Sequence, residues 1–354
     1  MENKTLGLFI HEQAKEFVRQ GHEVHVITTG AINEVLDGVH VYRINPTGLI
    51  FSIKCYKKII ELDRKIDFDV IHSHFTGFLT YMANLAANRI RKPFVLTAYG
   101  IGLLPGKANF FSKLSLRKGR TIICISRYTE GLVKNLTKSK TLVINPGIDL
   151  SKLKLTKNET VFKRESGLEN KRVLLSVSDL IKRKGIDTIL EALPNVIRKF
   201  PDLIYLIIGR GPEEKALKDL AKRLGIDRNV RFLGYVTDRE LANYYACCDI
   251  FVLMSKTIKE RAAVEGFGIV YVEASYFEKP VIGGKSGGTS DAVIEGKTGF
   301  LIEPKDKKEL TEKIVLLLEN EKLRKRLGKQ GKKHALDLNW SNNVKKTIEL
   351  YRTL

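Results

Sequence analysis

The stretch RVLLSVSDLIKRKGIDTILEAL (172–193) opens with an apolar run, RVLLSVS (172–178), and passes through a basic loop, LIKRKG (180–185). It ends in GIDTILEAL (185–193), whose apolar residues recur at helical spacing. A buried strand leading through a short loop into an amphipathic helix is the repeating half of a parallel α/β sheet. The alternation continues in both directions. Downstream, strands are expected at 203–209, 230–235, 249–254, 280–284 and 299–304, with helices at 213–224, 237–247 and 306–319. The helix at 237–247 carries a Thr237/Glu240 capping-box signature. Upstream, strands are expected at 23–28, 39–44, 69–74, 93–99, 121–126 and 141–146. The predicted fold class is α/β, with two doubly wound parallel-sheet (Rossmann-like) domains facing a cleft where ligands bind.

Residues 1–148 are expected to form the first domain, 171–339 the second, and the polar stretch 149–170 a linker. An amphipathic helix, 340–354, closes the chain. A doubly wound domain normally starts with a central strand and a glycine-rich turn. Here His11–Gln20 reads as a helix with no strand before it, so the first domain is expected to lack that unit.

The length of 354 residues suits two domains, and a hydrophobic fraction of 43% excludes a disordered chain. No run approaches the ~20 apolar residues of a membrane span, and MENKTLGLFIHEQ has no signal-peptide layout, which predicts a cytoplasmic protein. Cys55, Cys124, Cys247 and Cys248 lack metal-site spacing and read as buried thiols. A formal charge of +21 fits nucleic acid, an anionic membrane surface or a polyanionic substrate. About half of it lies between Ile71 and Ile148. There Arg89, Arg91, Lys92, Lys107, Lys113, Arg117, Lys118, Arg120, Arg127, Lys134, Lys138 and Lys140 face one acid, Glu130.

In EGFGIVYVE (265–273), Gly266 and Gly268 mark a tight turn and the residues after them suit a helix start. Such a terminus offers free N–H groups and partial positive charge to a phosphate or sugar hydroxyl. Glu265 stands in the turn and Glu273 two helical turns on, and carboxylates are natural acceptors for vicinal diols. The alternative is an ordinary strand–turn–helix with surface acids. Lys182, Arg183 and Lys184 follow a strand and fit neutralisation of a diphosphate, against the alternative of a solvated loop.

Other patterns fail. Gly284-Lys285-Ser286 suggests a P-loop, but Lys279 occupies the required upstream glycine; Glu214 stands where a third glycine would complete Gly209-Arg210-Gly211 as a dinucleotide fingerprint. Asp67-Phe68-Asp69 has the DxD form of a cation site but reads as a helix-to-strand loop. His72 and His74 share one strand face near its C-terminal end and read as cleft lining rather than metal ligands. No metal site is expected.

GHEVHVIT (21–28), DVIHSH (69–74), INPGID (144–149), KGIDTILEAL (184–193), IIGRGPEEKALKDLAKRLG (207–225), VRFLGYV (230–236), EGFGIVYVEA (265–274) and PVIGGKSGGTSDAVIEGKTGFLIEP (280–304) together closely resemble retaining glycosyltransferase family 4, of the GT-B fold. The likeness runs from about Gly7 to the C-terminus. The loop SKTIKERAAVEGFG (255–268) is most similar to the branch containing phosphatidylinositol mannosyltransferases.

The resemblance implies a nucleoside-diphosphate sugar donor on the second domain, an acceptor on the first, and no cofactor or required metal. It assigns Lys184, with Arg183, to the diphosphate, and Glu265 to the transferred sugar. It assigns Glu273 to the ribose, the backbone of Gly266, Phe267, Gly268 and Ile269 to sugar and phosphate, and Val236 to the base. The last helix is expected to cross back to the first domain. Catalysis would rest on Glu265 and Lys184, with leaving-group charge met by Lys184 and the helix N-terminus; the two-carboxylate glycosidase template does not fit.

The chain departs from the family at three places. Asp179 replaces a diphosphate-gripping arginine. Tyr99-Gly100 replaces His-Gly, so Tyr99, Gly100 and His74 are the acceptor-side candidates. The family pattern is entered near GLFIHEQ (7–13), without its first strand and glycine-rich loop.

The expected activity is a metal-independent hexosyltransferase serving glycan biosynthesis, with an anionic, lipid-linked or glycan acceptor at the cytoplasmic membrane face. Peripheral contact would run through 103–120, where Leu103, Leu104, Phe110, Phe111, Leu114 and Leu116 dip into the interface and Lys107, Lys113, Arg117 and Lys118 meet headgroups. The alternative for this run is a helix packing its apolar side into the first domain. A catalytically weak or inactive sugar-nucleotide binder is the alternative function. Nucleic acid is not an expected partner, because the basic segment carries no recognisable nucleic-acid motif.

Overall fold

The computed structural model describes residues 4–45, 47–100, 102–119, 121–258 and 264–354. It divides into two compact units, Met1–Gly147 with Trp340–Leu354, and Ile148–Asn339.

In the first unit the order is α1 (Lys4–Arg19), β1 (His25–Thr29), β2 (Glu34–Leu36), β3 (Val39–Ile44), α2 (Leu49–Ile66), β4 (Ile71–His74), α3 (Phe78–Ile90), β5 (Phe94–Ala98), α4 (Phe110–Lys118), β6 (Thr121–Cys124), α5 (Arg127–Lys134) and β7 (Lys140–Val143). The strands form two sheets rather than one. β4-β5-β6-β7 are all parallel. In β1-β3-β2, β1 and β3 run parallel and β2 antiparallel to β3. Among the described residues no strand pairs with the second edge of β1 or β4. β2 was not expected, although Asp37-Gly38 encodes it. Both residues have positive φ (51° and 81°), the requirement of a two-residue hairpin turn, and Leu36 lies opposite Val39.

The second unit holds α6 (Glu159–Glu165), β8 (Arg172–Val177), α7 (Ile186–Lys199), β9 (Leu203–Ile208), α8 (Glu214–Arg223), β10 (Val230–Gly234), α9 (Asp238–Cys247), β11 (Ile250–Leu253), α10 (Ile269–Tyr276), β12 (Val281–Gly284), α11 (Thr289–Ala292), β13 (Gly299–Ile302), α12 (Lys307–Glu319) and α13 (Glu321–Asp337). Its six strands are all parallel, in the order β10-β9-β8-β11-β12-β13. Every residue of β9 is buried, as a parallel strand covered on both faces requires.

Two local expectations change. The stretch 149–170, read as a linker, belongs to the second unit: it carries α6, and Leu153, Phe162 and Leu168 are buried there. With seven residues, α6 is too short to show a sustained helical period. At Thr237 the hydroxyl donates to the Glu240 carboxylate (2.9 Å) instead of capping a backbone N–H, so the reciprocal box does not form.

Helix α14 (Trp340–Tyr351) completes the first unit. Its Leu350 packs with Val95, Ile123 and Ile144, while Asn343 receives the Gln13 amide (2.7 Å) and donates to the Asn145 carbonyl (2.8 Å).

Candidate functional site

In an open parallel sheet, ligands bind beyond the strand C-termini where the strand order reverses. In the second unit that point lies between β8 and β11. After β8 the chain runs through Ser178–Ile181 into a single 3-10 turn, Lys182–Lys184, closed by Gly185 at φ +67°. A Cβ on Gly185 would lie 1.9 Å from the Met254 carbonyl oxygen, so only glycine lets this turn close on the residue following β11. The Lys256 N–H donates to the Arg183 carbonyl (2.8 Å), and the Lys256 ammonium to the Asp187 carboxylate (2.7 and 2.9 Å). The basic turn is held in place, with Arg183 and Lys184 half-buried and Lys182 exposed.

The turn delivers both cations to one carboxylate oxygen. Glu265 Oε2 accepts from Lys184 Nζ (2.7 Å), Arg183 Nη1 (3.0 Å) and Ser255 Oγ (2.9 Å). Burial raises the Glu265 carboxyl, but the Lys184 and Arg183 charges outweigh it and hold the group at about 2. The Glu265 carbonyl accepts from the Gly288 N–H (2.8 Å). A Cβ on Gly287 (φ +58°) would sit 2.1 Å from that oxygen, so the turn at Gly287-Gly288 needs glycine to seat Glu265. Gly266, buried Phe267 and Gly268 then lead into α10, which begins at Ile269 with Gly268 at φ +91°. The first amides of α10 are those a helix leaves without intrahelical acceptors.

Glu273 lies farther along α10, where its Oε2 accepts from the Tyr245 hydroxyl (2.7 Å). Burial pushes its carboxyl up, against the Tyr245 hydrogen bond that lowers it. Val236 lies half-buried between β10 and α9, and Asp179 is exposed after β8. The structure thus joins Lys184, Arg183 and Glu265 by direct contact and carries Gly266, Phe267, Gly268, Ile269 and Glu273 on the same turn and helix. Sequence reasoning missed Ser255 and Tyr245. Ser255 gave no signal, and Tyr245 was hidden as one apolar position of a helix.

The first unit holds the other candidates. His72 and His74 stack on one face of β4, centroids 4.5 Å apart. His74 Nδ1 bonds the Tyr99 hydroxyl (3.0 Å), while His72 bonds Tyr351 (2.5 Å) and Thr97 (2.7 Å). Burial lowers the His74 imidazole to about 4 and drives His72 well below its ordinary value, so both are neutral. Gly100 follows at φ +83°. Asp67 is the left-handed C-cap of α2 and pairs with Lys92 (2.5 Å), the helix-to-strand role expected of the DxD pattern.

The run 103–120 divides. Leu103, Leu104 and Leu116 are buried and serve the unit's core, which corrects their assignment to an interface. Phe111 and Leu114 are half-buried, while Phe110 is 71% exposed beside exposed Lys107, Lys113, Arg117 and Lys118. The apolar spacing suits either role, and packing against the unit claimed the leucines. Arg120 and residues 259–263 of the SKTIKERAAVEGFG loop lie outside the described residues.

Two family models match the sequence: Glycosyltransferase Family 4 over residues 6–152 and Glycosyl transferases group 1 over 158–334. The chain is 32% identical to a D-inositol 3-phosphate glycosyltransferase of Corynebacterium urealyticum, covering 99% of this chain and 90% of that protein. It is 31% identical to a GDP-mannose-dependent monoacylated alpha-(1-6)-phosphatidylinositol monomannoside mannosyltransferase of Corynebacterium glutamicum, covering 79% and 75%. Among solved structures, a glycosyltransferase from Rickettsia africae ESF-5 matches with a TM-score of 0.84 at 19% identity, covering 100% of this chain and 96% of that one. That structural likeness establishes a shared fold.

Proposed function

The chain belongs to glycosyltransferase family 4, with the GT-B fold, and from that premise we propose that it moves a hexose from a nucleoside-diphosphate sugar to an anionic or lipid-linked acceptor, with retention of configuration and without a required metal. The observation that carries this reading is the convergence of Lys184 and Arg183 on Glu265 at the point where the strand order of the second unit reverses. In the proposal, the donor diphosphate takes up the cations, and Lys184 with the first amides of α10 meets the negative charge that develops on the leaving group. Glu265, kept ionised, lies beside the transferred sugar. Glu273 accepts from the ribose, Val236 lies by the base, and Gly266 to Ile269 offer backbone N–H groups.

His74, Tyr99 and Gly100 mark the acceptor side, where a neutral imidazole and a phenol suit hydroxyl recognition. The lipid acceptor draws support from the phosphatidylinositol monomannoside in the name of the C. glutamicum relative, and contact with a membrane face from the exposed Phe110 and the four exposed cations near it in sequence. Among the described residues no helix is long and apolar enough to cross a membrane; the proposed contact is a peripheral one through 103–120. Transfer is tested by incubating the protein with GDP-mannose or UDP-glucose and a membrane lipid extract. Product formation abolished by Lys184→Ala and by Glu265→Ala supports the reading. Nucleotide binding without turnover of either donor would replace it with a sugar-nucleotide binder.

A further inference from the structure

Tyr245 is fully buried on α9, and its ring is held by two aromatic neighbours. The ring stacks on Phe277 (6.1 Å, 12° between planes) and tilts against Phe251 (5.9 Å, 44°). This rigid phenol donates to Glu273 Oε2 at 2.7 Å. Among the described residues nothing bonds Oε1, and it is not a buried orphan, so it stays open to a ligand. Burial favours the neutral acid at Glu273, a form that has lost part of its acceptor capacity. The charged groups around it are few. Asp238, also on α9, opposes ionisation, and Lys152, ahead of α6 and 3.8 Å from Asp238, favours it. Cys248, beside Tyr245, is a neutral thiol.

We infer that Tyr245 is a positioning residue of the donor site: its hydroxyl fixes and aims the Glu273 carboxyl group, so that Oε1 accepts from the vicinal hydroxyls of a donor ribose. The inference rests on the donor reading above. A carboxylate that accepts one short hydrogen bond from the protein loses rotamer freedom before the ligand arrives, and its remaining lone pairs are directed at a diol. Replacing the hydroxyl by hydrogen removes the aim and the stabilisation of the anion together.

The test measures dissociation constants of GDP, UDP and their 2′-deoxy forms between pH 4.5 and 8, for the full chain and for Tyr245→Phe, Glu273→Gln and the double variant. Glu273→Gln removes the acid limb due to the carboxylate and isolates that of the nucleotide phosphate. In Tyr245→Phe, ribonucleotide affinity at pH 7 is expected to fall about tenfold and the acid limb to move up about one pH unit, while the 2′-deoxy forms change little. An unchanged limb with unchanged ribose preference overturns the inference, and so does equal loss for ribo and deoxy forms. Should Tyr245→Phe be poorly soluble, the double variant strands no carboxylate. Behaviour like Glu273→Gln alone supports the coupling, and a further tenfold loss overturns it. If the unsubstituted protein binds neither GDP nor UDP, the donor reading itself fails, an outcome distinct from binding that ignores Tyr245.

Discussion

Replacing Glu265 by Gln tests the electrostatics of the donor site without a nucleotide. The Glu265 carboxyl is held at about 2 against an ordinary 4.5, with side-chain exposures of 10% for Glu265, 13% for Lys184 and 19% for Arg183, so solvent screens the cluster weakly. At about 1.4 kcal/mol per pH unit, that difference contributes about 3 kcal/mol of stability at pH 7. Because the folded value is depressed, the contribution is complete above about pH 4.5 and is lost as pH falls toward 2. Glu265→Gln removes it and leaves Lys184 and Arg183 facing each other without a counter-charge. The variant should therefore be less stable by about 3 kcal/mol at pH 7, and the gap should narrow by about 2 kcal/mol on going to pH 3. Urea-dependent hydrogen exchange of the β8 and β11 amides reads the gap where the cluster sits. A gap that stays constant from pH 7 to pH 3 refutes the argument, because a neutral or unpaired Glu265 would carry no such slope.

Lys184→Ala should lower transfer by about 10²–10³-fold, the cost of removing one preorganised donor to leaving-group charge, read as single-turnover release of nucleoside diphosphate. Gly185→Ala should cost at least about 2 kcal/mol, seen as a lowered Tm, since its methyl would meet the Met254 carbonyl and its φ is +67°. Flotation with anionic vesicles should be salt-sensitive and weakened by Phe110→Ser combined with Lys113→Ala and Arg117→Ala; equal recovery on neutral vesicles would remove the membrane contact. All four cysteines are buried, with Cys55, Cys124 and Cys247 pushed up to about 12, so none should react quickly with a disulfide reagent at pH 8 in the folded protein.

The legible parts of this chain are those whose signal is local. Strands such as Leu203–Ile208 and helices such as Glu214–Arg223 follow from apolar runs and a 3.6-residue period, and every strand expected from pattern is present. Lys184, Glu265 and Glu273 follow from turn chemistry and family likeness, which need no knowledge of long-range contacts. What stayed hidden is non-local. Ser255 and Glu265 meet through a loop, Tyr245 reaches Glu273 from another helix, and neither approach leaves a periodic trace. Leu103, Leu104 and Leu116 show the same limit from the other side. An apolar side chain near lysines is compatible with a bilayer or a core, and only packing chooses.

The two carboxylates of EGFGIVYVE share a loop and a helix yet experience opposite fields. Cations hold Glu265 at about 2, while burial raises Glu273 against a single phenolic hydrogen bond. Neighbouring acids driven apart in this way take different tasks. Glu265, held at about 2, remains an anion between pH 4.5 and 8, so it supplies fixed charge and cannot generate an acid limb near neutrality. The part of an acid-side loss of nucleotide binding that disappears in Glu273→Gln then belongs to Glu273, and its midpoint answers to Tyr245 and Asp238. Asp238→Asn, at an exposed position that opposes ionisation of Glu273, should therefore move the limb to lower pH, the reverse of Tyr245→Phe. Movement of both variants in one direction would show that the limb belongs to another group.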